Sequence, residues 1–279
     1  MFACLSCMVT FGMCLSNVYA EGQPGIPTTF SENNQKKGDN QSQIYSVSST
    51  DEFNQALILI SQSEEEEFII SLKNDIDASF VGISGKTITL KSETNQKCSI
   101  KLGSELKGNI TIDNVYVTGG TLYCNGFKTI FTDNAEFKLT GTLYGGGNQT
   151  TVDSTYVSIH GKGSIDTGGS ENVIVGGSYK GSVRGDIYTE IVGDINFPSY
   201  ESGHYITGAN KATRYGGDFY VGEPLYVGGN VTLLIDVNPN LEGNVHSISG
   251  THSSHISGDL NVIVKAGRFQ GIQAQRGTA

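Results

Sequence analysis

The 279-residue chain has no tryptophan, 3 methionines, 5 prolines and 18 Lys and Arg against 28 Asp and Glu. Each shortage excludes something. The few cations are scattered, so no basic patch offers itself to nucleic acid or to an anionic membrane surface, and neither partner is expected. Without tryptophan the largest aromatic platform for a ligand is missing. Alanine and leucine are scarce, which argues against a helical protein. No apolar run approaches the ~20 residues needed to cross a bilayer, so membrane insertion of the mature chain is not expected. The nearest is residues 2–15, already diluted by Ser6 and Thr10.

That run reads instead as the core of a secretory signal peptide over residues 1–20, ending at Val18-Tyr19-Ala20. It lacks a charged start, the first basic residue being Lys36. Export takes with it Cys4, Cys7 and Cys14 and leaves Cys98 and Cys124. The repeat register places these two at unlike positions, so Cys124 is expected as a small interior hydrophobe and no disulfide is expected. Their spacing fits no zinc pattern. Residues 21–43, rich in Gly, Pro, Ser, Asn, Gln and Lys, are expected to be a disordered linker. The natural protein is expected to continue beyond Ala279 or to be represented here by a fragment.

What the chain has in plenty is glycine, 37 residues, together with Thr, Val, Ile and Tyr. The net charge is −10, which suits a soluble protein and names no ligand. One convincing helix falls at about 51–61. Ser49 and Glu52 make a capping box, and Phe53, Ala56, Leu57 and Ile60 form one apolar face.

Residues 109–168 stack into three lines of about twenty, the signature of a solenoid. Asp113, Asp133 and Asp153 fall in one column, and Val117, Phe137 and Val157 in another. Ile88, Ile110 and Ile130 form a third column, Ile100, Leu122 and Leu143 a fourth, and Thr-Leu-Tyr recurs at 121–123 and 142–144. Regular coils are expected over about 86–168. Longer repeats follow over about 169–275, in which residues 175–191 recur 73 positions later at 248–264. Gly185-Asp186 there meets Gly258-Asp259, and a weaker copy runs over 226–235. Residues 196–220 read as a loop excursion between copies.

The helix, the phrases FIISLKNDI and GKTITLKSE, and rungs of NITIDNV type resemble the start of pectate-lyase-like right-handed parallel β-helix proteins. The later GG and GD repeats are similar to secreted or surface β-helix proteins of Gram-positive, gut-type bacteria. The resemblance implies an all-β, right-handed parallel β-helix over residues 44–279 with the helix capping its N-terminal end. It implies little about activity, because this fold hosts lyases, hydrolases and adhesins.

No catalytic constellation is found. The resemblance implies that a lyase would set an arginine among its aspartates, yet Arg184, Arg214, Arg268 and Arg276 all lie outside those rungs. Its hydrolases would show Asp-Asp, Gly-His-Gly and Arg-Ile-Lys, and none is present. The aspartate column admits two readings: corners whose side chains bond their own backbone, or a calcium site. The tyrosines Tyr116, Tyr123, Tyr144 and Tyr156 admit a ligand-binding strip or ordinary lateral packing. His246, His252 and His255 are expected as exposed turn residues, and the glycines at 145–147 as a turn. The function expected is a secreted or cell-surface scaffold, adhesin-like or binding a polysaccharide or host surface. A carbohydrate-active enzyme, or a structural spacer of a longer surface protein, is the alternative.

Overall fold

The structure, a computed structural model, describes residues 42–168, 172–198, 204–212, 225–241, 245–251 and 254–275. The expected signal peptide and nearly all of the expected linker lie outside these residues. Among them every strand pair is parallel, and the chain is all-β apart from one helix.

The reason is visible in one coil. Residues alternate apolar and polar along Asn109–Asp113, turn a corner at Asn114 (φ 53°), and continue as Tyr116–Gly119. After Leu122–Tyr123 a second corner at Asn125 and Gly126 (φ 54° and 80°) returns the chain to Thr129–Phe131, beside the strand it left. Each short strand buries alternate side chains and pairs with the coil before and after it.

Repeated along the chain, this builds a main run of nine strands from Gln43–Val47 to Leu260–Ala266 and a second run from Ser79–Phe80 to Lys162–Ile165. The long strand Ile187–Asn196 pairs with both runs, which makes them one strongly curled 14-stranded sheet. A third run of six strands extends from Leu122–Tyr123 to Ile272–Gln275. The arrangement is compatible with a parallel β-solenoid.

The interior is a set of columns. Phe68, Ile88, Ile110, Thr129, Val157, Thr189 and Leu233 follow one another along the main run, and all are buried. Burying one aliphatic side chain stabilises by roughly 1.5–3 kcal/mol, so the stack and not any single coil carries stability. Cys98 and Cys124 are both buried in the same core, and both are free thiols.

The helix spans Thr50–Gln62 and buries Phe53, Ala56 and Ile60 in the same core, with Phe53 edge-on to Phe80 at 5.9 Å. Its cap is divided between two serines. The Glu52 backbone N–H donates to Ser49 Oγ at 3.3 Å, while the Glu52 carboxylate accepts from the Ser48 N–H and hydroxyl at 2.6 and 2.7 Å.

Several expected registers shift. Val117 does pair with Phe137, and Leu122 and Tyr123 with Leu143 and Tyr144. Phe137 then pairs with Gly163, because Val157 belongs to the main run beside Thr129. Ile110 pairs with Thr129 and not Ile130, which lies one place along and is half-buried. Ile100 pairs with Val117 in the second run, apart from Leu122 in the third. The long repeat holds in the main run, where Ile187, Val231 and Leu260 are successive partners. In the third run it slips by one, with Ile174, Ile206 and Ile248 aligned. The excursion expected at 196–220 contains a paired strand, His204–Thr207, and Phe197 is buried.

The glycines at 145–147 continue the hydrogen-bonding of the third run around its corner. Gly145 donates to Val175 O and Gly176 to Thr207 O. A Cβ at Gly145 would overlap the Gly176 carbonyl oxygen, and one at Gly176 the Gly208 carbonyl oxygen. Successive coils approach here as closely as backbone can.

Candidate functional site

The outer face of the main run gathers the most chemistry on three consecutive strands: Thr129–Phe131, Thr155–Ile159 and Ile187–Asn196. Outward positions in register make the cluster. Tyr156 pairs with Tyr188, and their rings stack at 4.9 Å and 14°. Lys128 Nζ lies 5.0 Å from the Tyr156 ring centroid on the other side, a cation–π contact. Two residues along, Ser158 pairs with Glu190, and its hydroxyl donates to Glu190 Oε2 at 3.2 Å.

His160 closes the group. Its Nδ1 lies 3.0 Å from Asp133 Oδ1 on the preceding coil, and its Nε2 lies 3.3 Å from Glu190 Oε2 on the following one. The second contact is within ion-pair distance but off the line that an N–H would need, so this buried nitrogen makes no hydrogen bond. Burial first, then the Glu190 carboxylate and the Tyr156 ring, push the Tyr188 phenol above its ordinary range. The patch thus exposes the Tyr156 ring and the Lys128 ammonium group, with Tyr188, Glu190 and His160 half-buried and the Ser158 hydroxyl buried beneath them.

Beside it lies an open cleft of about 300 Å³ lined by Asn125, Gly126, Phe127, Thr151, Val152, Asp153, Ser154 and Arg184. Phe127 precedes Lys128 in the chain, and Ser154 is two residues from Tyr156, so the cleft borders the patch. Arg184 donates to Asp153 Oδ1 at 2.7 Å, but both side chains are exposed and the pair contributes little, about 0–1 kcal/mol.

The three aspartates expected in one column do not form it. Asp113 Oδ1 accepts from the Thr132 hydroxyl at 2.7 Å and the Asn134 amide at 3.1 Å, and Asp133 faces His160. Asp153 faces Arg184 across a different corner. Each carboxylate is answered by a donor on the next coil rather than by another carboxylate. Among the described residues no three His, Cys, Asp or Glu side chains are grouped to hold a metal ion.

The four tyrosines are likewise divided among the runs. Tyr116 pairs with Ser99 and Glu136 in the second run. Tyr123 and Tyr144 stack at 4.8 Å and 11° in the third, and Tyr179 lies against Tyr144 at 5.7 Å. Tyr144 is buried between its neighbours, so it offers no free ring face. Only Tyr156 joins the patch. His255 sits on the strand Ser254–Ile256, not in a turn, and stacks on the exposed Tyr226 at 5.6 Å. His252 lies outside the described residues.

Lys128, Ser158, His160, Tyr188 and Glu190 were not singled out from sequence. A signal for them exists: TYVSIHG at 155–161 aligns with IYTEIVG at 187–193, matching tyrosine with tyrosine and glycine with glycine. No family model, no curated protein and no solved structure matches the chain.

Proposed function

We propose that the protein is a secreted or cell-surface scaffold, a right-handed parallel β-helix of pectate-lyase-like architecture that binds a polysaccharide or host-surface glycan along the outer face of its main sheet. The observation that carries this reading is the register pairing of Tyr156 with Tyr188 beside Lys128, Ser158 and Glu190. Sugars offer hydroxyls at fixed intervals, and a ladder of strands about 4.8 Å apart offers donors and acceptors at fixed intervals too. Phenol edges, a carboxylate and an ammonium group suit hydrogen-bonding to such a chain, with low conformational cost because the strands hold them. Right-handed crossovers are the general rule for parallel strands, which supports the handedness.

The test is a glycan array on residues 21–279, with calcium and with chelator, run for the wild type and for Tyr188→Ala and Lys128→Ala. Binding lost in both variants and indifferent to chelator supports the reading. Calcium-dependent binding that survives both substitutions moves the ligand to the aspartates. Silence of the wild type on every glycan overturns it and leaves the spacer in front.

A further inference from the structure

One exposed corner carries more than the fold asks of it. Gly185-Asp186, Gly229-Asn230 and Gly258-Asp259 stand at the same turn on three successive coils, just before the paired residues Ile187, Val231 and Leu260. Close approach accounts for the glycine, since a Cβ at Gly185 would stand 3.0 Å from the Asp153 carbonyl oxygen. Service to the next coil accounts for the aspartate, whose Oδ1 accepts the Asn230 N–H at 2.7 Å. Neither accounts for Arg184. The residue in its place is Gly228 on the next coil and Ser257 on the one after.

The tripeptide Arg184-Gly185-Asp186 is held firmly by its backbone and loosely by its side chains. The Arg184 and Gly185 N–H groups donate to Val152 O and Asp153 O at 2.9 and 2.7 Å, and Gly185 O accepts the Gly229 N–H at 3.1 Å. The Arg184 side chain is 69% exposed, and its pair with the still more exposed Asp153 holds it by only about 0–1 kcal/mol. Asp186 is exposed too, and among the described residues its Oδ2 accepts no hydrogen bond. The guanidinium leans on the preceding coil and the carboxylate on the following one. Their contacts are two strand spacings apart, on the order of 10 Å.

We propose that Arg184-Gly185-Asp186 is a docking site for a host-cell receptor that presents a bound divalent cation beside an acidic pocket, as integrins do. Asp186 Oδ2 enters the coordination shell of the receptor's cation, a hard ion that prefers carboxylate oxygen. Arg184 exchanges its weak pair with Asp153 for forked hydrogen bonds to carboxylates of the receptor. The clamped backbone lowers the ordering cost of binding. This inference rests on the secreted or cell-surface reading above and is independent of the glycan patch.

Surface plasmon resonance on purified residues 21–279, passed over an immobilised Arg-Gly-Asp-binding integrin ectodomain in manganese or in chelator, tests this without depending on export or on the glycan array. The expected result is binding in manganese that chelator abolishes and a soluble Gly-Arg-Gly-Asp-Ser peptide displaces. Arg184→Ala and Asp186→Glu are each expected to weaken it at least tenfold, and Tyr188→Ala to leave it unchanged. A wild type that does not bind, or binding that survives Arg184→Ala, overturns the proposal. Binding that persists in chelator and vanishes with Tyr188→Ala also overturns it, because the receptor's own glycans are then held by the patch. Should Asp186→Glu lose its fold along with its bond to Asn230, the exposed Arg184 and the competing peptide still decide the matter.

Discussion

Asp186 and Asn230 hold the same corner on successive coils, and the Asp186 carboxylate accepts the Asn230 backbone N–H at 2.7 Å. Asn230 Oδ1 in turn accepts the Asp259 N–H at 2.8 Å. The Gly-Asp, Gly-Asn and Gly-Asp of the long repeat are thus a ladder of short side chains satisfying the backbone of the next coil.

Breaking that ladder has a defined effect. Asn230→Ala removes one acceptor from an exposed corner and is expected to destabilise by about 0.5–1.5 kcal/mol. Asn230→Asp, which keeps an oxygen in place, is expected to retain most of the stability. Urea unfolding followed by circular dichroism measures both. Equal stability of wild type and Asn230→Ala would show that water serves the Asp259 N–H as well.

Glycine substitutions separate close approach from composition. At Gly176 a Cβ overlaps the Gly208 carbonyl oxygen and stands 2.9 Å from Ile187 Cγ2. Gly176→Ala is expected to cost about 1–3 kcal/mol or more. At Gly120 a Cβ meets nothing within 4 Å, and Gly120→Ala is expected to change stability by less than about 0.5 kcal/mol. Melting temperatures of the two variants, compared side by side, decide whether the stacked glycines are required.

The thiols report on the core. Burial pushes the Cys124 thiol from its ordinary 9.0 up to about 12. In the folded protein it is expected to resist alkylation at pH 8 and to react at once in denaturant. The folded state holds this proton more tightly than the unfolded chain. The stabilisation is therefore complete below pH 9 and is lost as pH rises from about 9 to about 12, at roughly 1.4 kcal/mol per pH unit. The phenols of Tyr123 and Tyr188, also raised chiefly by burial, add to the same alkaline loss. Cys124→Ala is expected to flatten this limb, which a pH series of urea midpoints reads directly.

The helix cap acts at the other end of the pH scale. Donors from Ser48, hydroxyl first and then backbone, hold the Glu52 carboxyl below its ordinary range. Its contribution is present above that range and is lost as pH falls through the lowered value. Glu52→Gln is expected to lower stability at pH 7 and to leave it unchanged near pH 2. A difference that persists at pH 2 would assign the effect to packing.

The sequence made the architecture legible because apolar residues alternate in short strands between Gly and Asn corners, and Tyr123 over Tyr144 shows that an aromatic pair can fix a register. The third line of the repeat went astray for a physical reason. Thr129 pairs with Val157, a longer step than that from Ile110 to Thr129. Any apolar side chain suits an inward site, so Val157 fitted the Phe137 column in sequence as well as it fits beside Thr129 in space. A uniform step of twenty therefore does not show the patch, since His160 meets Asp133 only when the longer step is taken. The helix face is legible in the spacing of Phe53, Ala56 and Ile60, whereas the division of the cap between Ser48 and Ser49 is set by side-chain geometry that spacing does not show.

The steps between partners have one more meaning. Glu67 pairs with Thr87, and Ile187 pairs with Val231, over very different lengths of chain. Both steps advance the stack by one strand spacing of about 4.8 Å, because interstrand hydrogen bonds fix the pitch. Contour length and framework dimension are uncoupled. A foreign peptide grafted between two rungs lengthens the polypeptide without moving the rungs apart, which makes this chain a carrier whose display sites can be chosen coil by coil.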